Sequence, residues 1–351
     1  MIPLGRPPTH SLWSSTMSFL RTVLNDSVII HPPGFYITGF QTLPYISVYI
    51  IFLAFLYVVT VLFNSLVIYV IVFNHCLHTP KFVAVGNLAV IDVILSTSII
   101  PNMIKLFLIK DNFVPFNMCF VQMYSYYAFV TLESYALAIL AYDRLIAICF
   151  PLRQNSINTL RSMSYIIGLI WCFTLGIGVF AIGILTRLSY CNSLTVFSYF
   201  CDYSAMFRIA CNDYTMQWTV ATSLIFLIFV VPFTLICLSY VSILVTVFRM
   251  KSLDSRCKAL ATCTEHIILV AVFYIPLITI FNISHHLHFI DEDLPLVSLS
   301  LASCTPPCIN PIIYSMKTKE IQNRALALVR KIKISTDQHK KRHWRGVTAK
   351  M

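Results

Sequence analysis

The stretch FNMCFVQMYSYYAFVTLESYALAILAYDRLIAI, residues 116–148, decides how this chain is built. Its only charged side chains are Glu133, Asp143 and Arg144. It is also longer than the roughly 20 residues with which a helix crosses a hydrocarbon core. Working outward, further apolar stretches of similar length lie at 45–73, 82–108, 163–185, 216–248, 259–285 and 294–316. Hydrophobic residues make up 58% of the chain and charged residues 11%, against roughly 25% charged in soluble domains, so a water-exposed surface cannot be made from this composition. The expected fold is an all-α membrane protein, a seven-transmembrane helix bundle over 45–316. A segment 1–44 precedes it and a basic tail 317–351 follows. An odd number of spans puts the two ends on opposite sides.

The formal net charge of +11 raises nucleic acid as a partner, and the placement of the charges argues against it. Of the 25 Lys and Arg, only Arg6, Arg21, Lys105, Lys110, Arg187 and Arg208 fall on the amino-terminal side of the spans. The rest flank alternate span ends or lie in the tail, which the positive-inside rule assigns to the cytoplasm. The amino terminus is then extracellular and the carboxyl terminus cytoplasmic, in a multi-pass protein of the cell membrane. Asn25-Asp26-Ser27 is a glycosylation acceptor on the outer side. No compact apolar core of a cleavable signal precedes the first span, which is long enough to act as its own insertion signal. The sequence leaves open whether Met1 or Met17 is the start.

Four of the 12 cysteines, Cys119, Cys191, Cys201 and Cys211, fall on the oxidising outer side and suggest two disulfides, with three pairings open. The remainder read as small apolar packing residues or reduced thiols.

Ionisable residues inside spans are costly and mark function. Asp92 and Glu133 sit mid-span, with Asn64 and Asn310 at comparable depth. Asp92, Glu133 and Asn310 are a candidate sodium site; the alternative is that one or both acids are protonated, since burial disfavours the charged carboxylate. No other cofactor is expected. Asp143-Arg144 lies where the third span ends, so the Arg144 stem stays among apolar residues. Pro232, Pro276 and Pro311 each interrupt a span and supply kinks.

Several motifs follow one another in order. Ala141-Tyr142-Asp143-Arg144-Leu145-Ile146-Ala147-Ile148-Cys149 precedes Pro151-Leu152, Ser239-Tyr240 lies in the fifth span, and Lys258-Ala259-Leu260-Ala261-Thr262-Cys263 precedes His266 and Phe273-Tyr274. Asn310-Pro311-Ile312-Ile313-Tyr314 closes the seventh span. Together these resemble the odorant-receptor type of rhodopsin-class (class A) G-protein-coupled receptor. Leu145, Phe63 and Lys81-Phe82 depart from the usual pattern and point to a divergent, fish-type member.

The resemblance implies a disulfide between Cys119 and Cys201 and another between Cys191 and Cys211. It implies G-protein activation through Asp143, Arg144, Tyr240, Asn310, Pro311 and Tyr314, with the partner an olfactory or stimulatory heterotrimeric G protein. The basic residues Arg249, Lys251, Arg256 and Lys258 border the activation opening. A ligand cavity in the outer half would draw on Tyr126, Tyr127, Val130 and Thr131 in the third span and Ser223 and Leu227 in the fifth. Tyr274, Leu277, Ile278 and Phe281 in the sixth and Ser300 and Ser303 in the seventh complete the set. It contains no acid or base, which favours a small neutral odorant. A monoamine would want an acid near Tyr126, and retinal a lysine in the seventh span; the sequence shows neither. Residues 318–334 read as a short amphipathic helix on membrane lipid, carried by Ile321, Ala325, Leu326 and Leu328, or alternatively as a solvated tail.

Two other classes compete. A transporter or channel would show internal repeats or glycine-interrupted spans; no repeat is visible and the chain has 9 glycines. An enzyme would need a reactive constellation, and the only hint is His285, His286 and His288 beside Asp291, Glu292 and Asp293, which read as solvated loop residues.

Overall fold

The computed structural model describes residues 29, 31–191, 194–286, 293–317 and 322–323, with the side chains of 280–286 and 315–317 outside that description. The expected spans are helices. Span 1 is Ile46–Phe73, span 2 Pro80–Phe107, span 3 Phe116–Cys149 and span 4 Leu160–Leu185. Span 5 runs Thr215–Arg249, span 6 Leu253–His286 and span 7 Asp293–Lys317. Asn25, the histidine cluster's His288 and nearly all of 318–334 lie outside the described residues.

Six of these helices are individually long and apolar enough to cross a membrane, and span 3 passes together with the short piece Pro151–Ile157, bent from it by 109°. Span 3 lies deep in the bundle and carries charged and hydroxyl side chains along its length. It packs against spans 2, 4, 5 and 6, and buries Glu133, Ser134 and Asp143 along with its aliphatic residues. Spans 1, 4 and 5 instead turn large apolar side chains outward, such as Phe55, Leu169 and Leu238, as helices in lipid do. Span 6 starts earlier than the apolar pattern does, because a charged turn carrying the Asp254–Lys258 pair, 2.7 Å apart at i,i+4 spacing, continues the helix.

One end of the bundle carries a cap. Strand β1, Gly34–Ile37, pairs antiparallel with β2, Phe113–Pro115, and parallel with β3, Thr195–Val196. The segment after β1 is fastened to span 7, where buried Asp293 Oδ2 accepts from Thr42 N at 2.5 Å, Thr42 Oγ1 at 2.9 Å and Leu43 N at 2.8 Å. The last part of the expected amino-terminal segment is thus built into the bundle. Cys119 is bonded to Cys201 and Cys191 to Cys211, the pairing the resemblance implied.

Backbones meet closely in the cap. A Cβ on Gly39 would lie 2.5 Å from the Ser198 carbonyl oxygen, whereas one on Gly168 in span 4 would meet nothing within 4 Å. Gly39→Ala should therefore lower stability by about 1–3 kcal/mol. Gly168→Ala should leave it unchanged or raise it, both read from thermal unfolding of the purified protein.

Candidate functional site

Three polar constellations run through the bundle from the capped end to the Arg144 end. The first surrounds a cavity of about 110 Å³ between spans 3, 4 and 5, roofed by Tyr203 and Ser204. Among the expected ligand residues, Tyr127, Thr131 and Leu227 line it, joined by Thr174 of span 4. The expected members from spans 6 and 7 do not. The centre of the bundle is filled instead by the loop between spans 4 and 5, whose Tyr199 and Phe200 are fully buried. The Phe200 ring sits 4.5 Å from that of Tyr126. Tyr126 and Ser303 share a hydrogen bond of 3.0 Å, and Tyr49 and Ser300 one of 2.6 Å, so these hydroxyls tie helices together. Val130 is buried in the core, and Leu277 packs against it.

Two expected residues face outward. Ser223 is exposed, and Ile278 is 48% exposed. Leu227 lies within the π-helical segment Phe226–Val230, which begins three residues after Ser223. Pro276 interrupts the alignment of Tyr274 with Ile278. The Phe281 side chain lies outside the described residues.

Among the described residues, no charged side chain lines the cavity. The expectation that no acid approaches Tyr126 needs correction, because Asp202 of the loop accepts from the hydroxyl of the neighbouring Tyr127 at 2.6 Å. Asp202 is nevertheless occupied. Its other oxygen accepts from Ser204 Oγ and, at 3.1 Å, from Ala205 N, capping the helix Tyr203–Arg208. Burial pushes the Tyr203 phenol up from its ordinary pKa, keeping the roof neutral.

Span 5 is bonded to span 3 at the cavity floor. In the π segment Val231 N donates to Phe226 O, leaving the Leu227 carbonyl free, and Tyr135 OH donates to it at 3.1 Å. Pro232 has no N–H for the Ile228 carbonyl, which accepts from Ser134 Oγ at 2.8 Å. Ser134 in turn meets Tyr274 OH at 2.7 Å, so Tyr274 holds span 6 to the same point.

The second constellation is mid-bundle. Asn310 Nδ2 donates to both oxygens of buried Asp92, at 3.1 Å each. Asn64 Nδ2 donates to Pro307 O at 3.0 Å, the carbonyl that Pro311 leaves without a donor. Glu133 Oε2, Asn64 Oδ1 and Ser96 Oγ are buried and find no partner among the described residues. Nothing in the sequence marks Ser96 as a member of this group.

The third is at the Arg144 end. Arg144 lies 3.7 Å from Asp143, whose Oδ1 accepts from Asn158 Nδ2 at 2.7 Å. Tyr240 OH bonds His266 Nδ1 at 2.7 Å, and His266 Nε2 bonds the Leu137 carbonyl at 2.9 Å. Since a carbonyl only accepts, Nε2 carries the proton and Nδ1 accepts from Tyr240. One neutral imidazole thus closes spans 3, 5 and 6 together. Tyr314 is buried with its hydroxyl unpartnered among the described residues. Asn158 gave no signal in sequence, and His266 stood out only within a motif.

The family model of the olfactory receptor matches residues 53–331 of this chain. The chain belongs to the olfactory receptor family. It is similar to human olfactory receptor 2AT4, 30% identical over 308 residues that cover 86% of this chain and 94% of the relative. Human olfactory receptor 5P3 is 36% identical, covering 81% of this chain and 91% of the relative. Human olfactory receptor 52B2 is 33% identical, covering 84% and 91%. This olfactory receptor is an odorant-sensing, G-protein-coupled, multi-pass membrane protein and not an enzyme.

In this olfactory receptor, removing the imidazole clamp should loosen the Arg144 end of span 6. His266→Phe should raise odorant-independent nucleotide exchange on the G protein at matched surface levels. Tyr240→Phe, which loses only one of the two bonds, should raise it less.

Proposed function

We propose that this receptor detects small neutral organic odorants in the cavity between spans 3, 4 and 5 and activates an olfactory or stimulatory G protein at the Arg144 end. The observation that carries the ligand class is the cavity wall, which is apolar but for a few hydroxyls and has no charged side chain among the described residues. An uncharged wall gives a cation or anion no compensation for its lost hydration, whereas apolar contact with one or two hydroxyl bonds suits a neutral molecule. Asp202 does not alter this, because both its oxygens are already engaged.

A ligand touching Thr131 and Leu227 contacts the stretch of span 5 that Ser134 and Tyr135 hold. Binding that favours another arrangement of that stretch shifts the bundle between two states. The expected consequence at the far end is release of the His266 clamp, movement of Arg144 away from Asp143 onto the G protein, and inward turning of Tyr240 and Tyr314, beside the basic loop of Arg249, Lys251, Arg256 and Lys258. The capped end is then extracellular, as the disulfides and the Lys and Arg distribution favour, and the basic tail lies on lipid at the cytoplasmic face.

We further propose that Asp92, Glu133 and Asn310 hold a sodium ion. Buried oxygens without partners, Glu133 Oε2, Asn64 Oδ1 and Ser96 Oγ, fit a hard cation that takes oxygen ligands. Bound there, the ion would supply positive charge that lets the carboxylates remain ionised.

Cyclic AMP measured in cells that also express the olfactory-type stimulatory G protein, across a panel of neutral and charged odorants, tests the main reading. Neutral compounds should give the responses, Leu227→Trp should abolish them by filling the cavity, and Arg144→Ala should abolish them with binding kept. Responses confined to amines or carboxylates would overturn the assignment of ligand class. For the ion, raising sodium should lower basal signalling in the native receptor and leave Asp92→Asn unaffected.

A further inference from the structure

We propose that the odorant reaches its cavity sideways, out of the middle of the bilayer, through a gap between spans 4 and 5. This rests on the cavity being the ligand site. Phe173 of span 4 and Ile225 of span 5 both line the cavity, yet they are 51% and 43% exposed. Each therefore has one face on the cavity and another on the outer surface of the bundle. Phe173 lies some 18–20 Å from either end of span 4, at about 1.5 Å per residue, and Ile225 about 15 Å below the start of span 5. With a hydrocarbon core about 30 Å thick, that opening sits at the depth where water is absent and apolar solutes dissolve.

A small residue keeps the cavity open on the span 4 side: Gly178 lines it, and a Cβ there would lie 3.0 Å from the Tyr124 ring of span 3. On the other side, Ser134 and Tyr135 bond the carbonyls of Ile228 and Leu227 and hold that part of span 5 on span 3.

The route from the capped end is obstructed. Tyr203, at the roof, is 5% exposed, and Tyr199 and Phe200 beside it are fully buried. Tyr127 is bonded to Asp202, and the Cys119–Cys201 disulfide anchors the same loop to the top of span 3. A molecule coming that way must displace packed aromatic rings, whereas one coming from the bilayer crosses only between apolar side chains. The ligands favoured are accordingly those that partition into lipid, a preference that grows about fourfold with each added methylene.

The test uses the full-length receptor in phosphatidylcholine vesicles, with a diazirine attached at the end of a phospholipid acyl chain. Such a probe is tethered in the bilayer and cannot arrive through water. After photolysis, peptide mass spectrometry should find label on Thr131, Thr174 and Ile228, which line the cavity and are buried, as well as on outward-facing Phe173. The same diazirine on the lipid headgroup should leave all three buried residues unlabelled. Ile225→Trp should abolish interior label and keep it on Phe173, and Ile225→Ala, which widens the gap, should increase it. Label confined to outward-facing residues, or interior label indifferent to both Ile225 variants, overturns the route. Because no odorant is used, that result is distinct from a failed cyclic AMP response, which would speak against the ligand site itself.

Discussion

A carbonyl oxygen with no donor cannot be left in hydrocarbon, and this bundle is organised around the places where its own helices create one. Pro232 deprives Ile228 O of its donor and Ser134 supplies one. The π segment deprives Leu227 O, and Tyr135 supplies one. Pro311 deprives Pro307 O, and Asn64 supplies one. In each case the donor comes from a different span, so a defect within one helix becomes a bond between two. Each such bond is worth more here than in water, because the alternative is an unsatisfied group.

This explains why so deeply buried a span carries so many polar groups. Span 3 provides Ser134 and Tyr135 to span 5 and its Leu137 carbonyl to His266 of span 6, and it carries Glu133 beside the Asp92–Asn310 pair. The cavity lies against the same stretch, since Leu227 both lines it and presents the carbonyl that Tyr135 holds. Cavity, kink and clamp therefore share one contiguous set of contacts along spans 3 and 5. On the proposed function, that contiguity is what would couple an event at the cavity to Arg144.

Much of the fold was legible because it is written locally. Apolar length marked the span bounds to within three residues except the start of span 6, which lies six residues earlier, and the family resemblance supplied the pairing of Cys119 with Cys201 and of Cys191 with Cys211. The positions of Asn310, Asp143 and Tyr240 followed from motifs, and that of Asp92 from its charge inside a span. The cavity was read only in part. Helical spacing put Ser223 on the face of Leu227, whereas Ser223 is turned to the outside, and nothing in FLIFV announces the π turn at Phe226–Val230. The rest depends on contacts between distant residues: Phe200 filling the space beside Tyr126, Asp202 reaching Tyr127, Asn158 folding back to Asp143, and Asp293 holding Thr42. Loop insertions of this kind have no periodicity for a sequence to display.

The dependence on freed carbonyls is most directly measured by a double-mutant cycle at Ser134 and Pro232, with stability read from thermal unfolding in detergent or nanodiscs. Ser134→Ala should cost about 1–3 kcal/mol in the native chain. In a Pro232→Ala background the backbone regains the N–H for Ile228, and the same change should cost roughly 1 kcal/mol less, leaving the loss of the Tyr274 bond. An equal cost in both backgrounds would contradict the account, because Ser134 would then be stabilising the bundle for some reason other than the carbonyl that Pro232 leaves open.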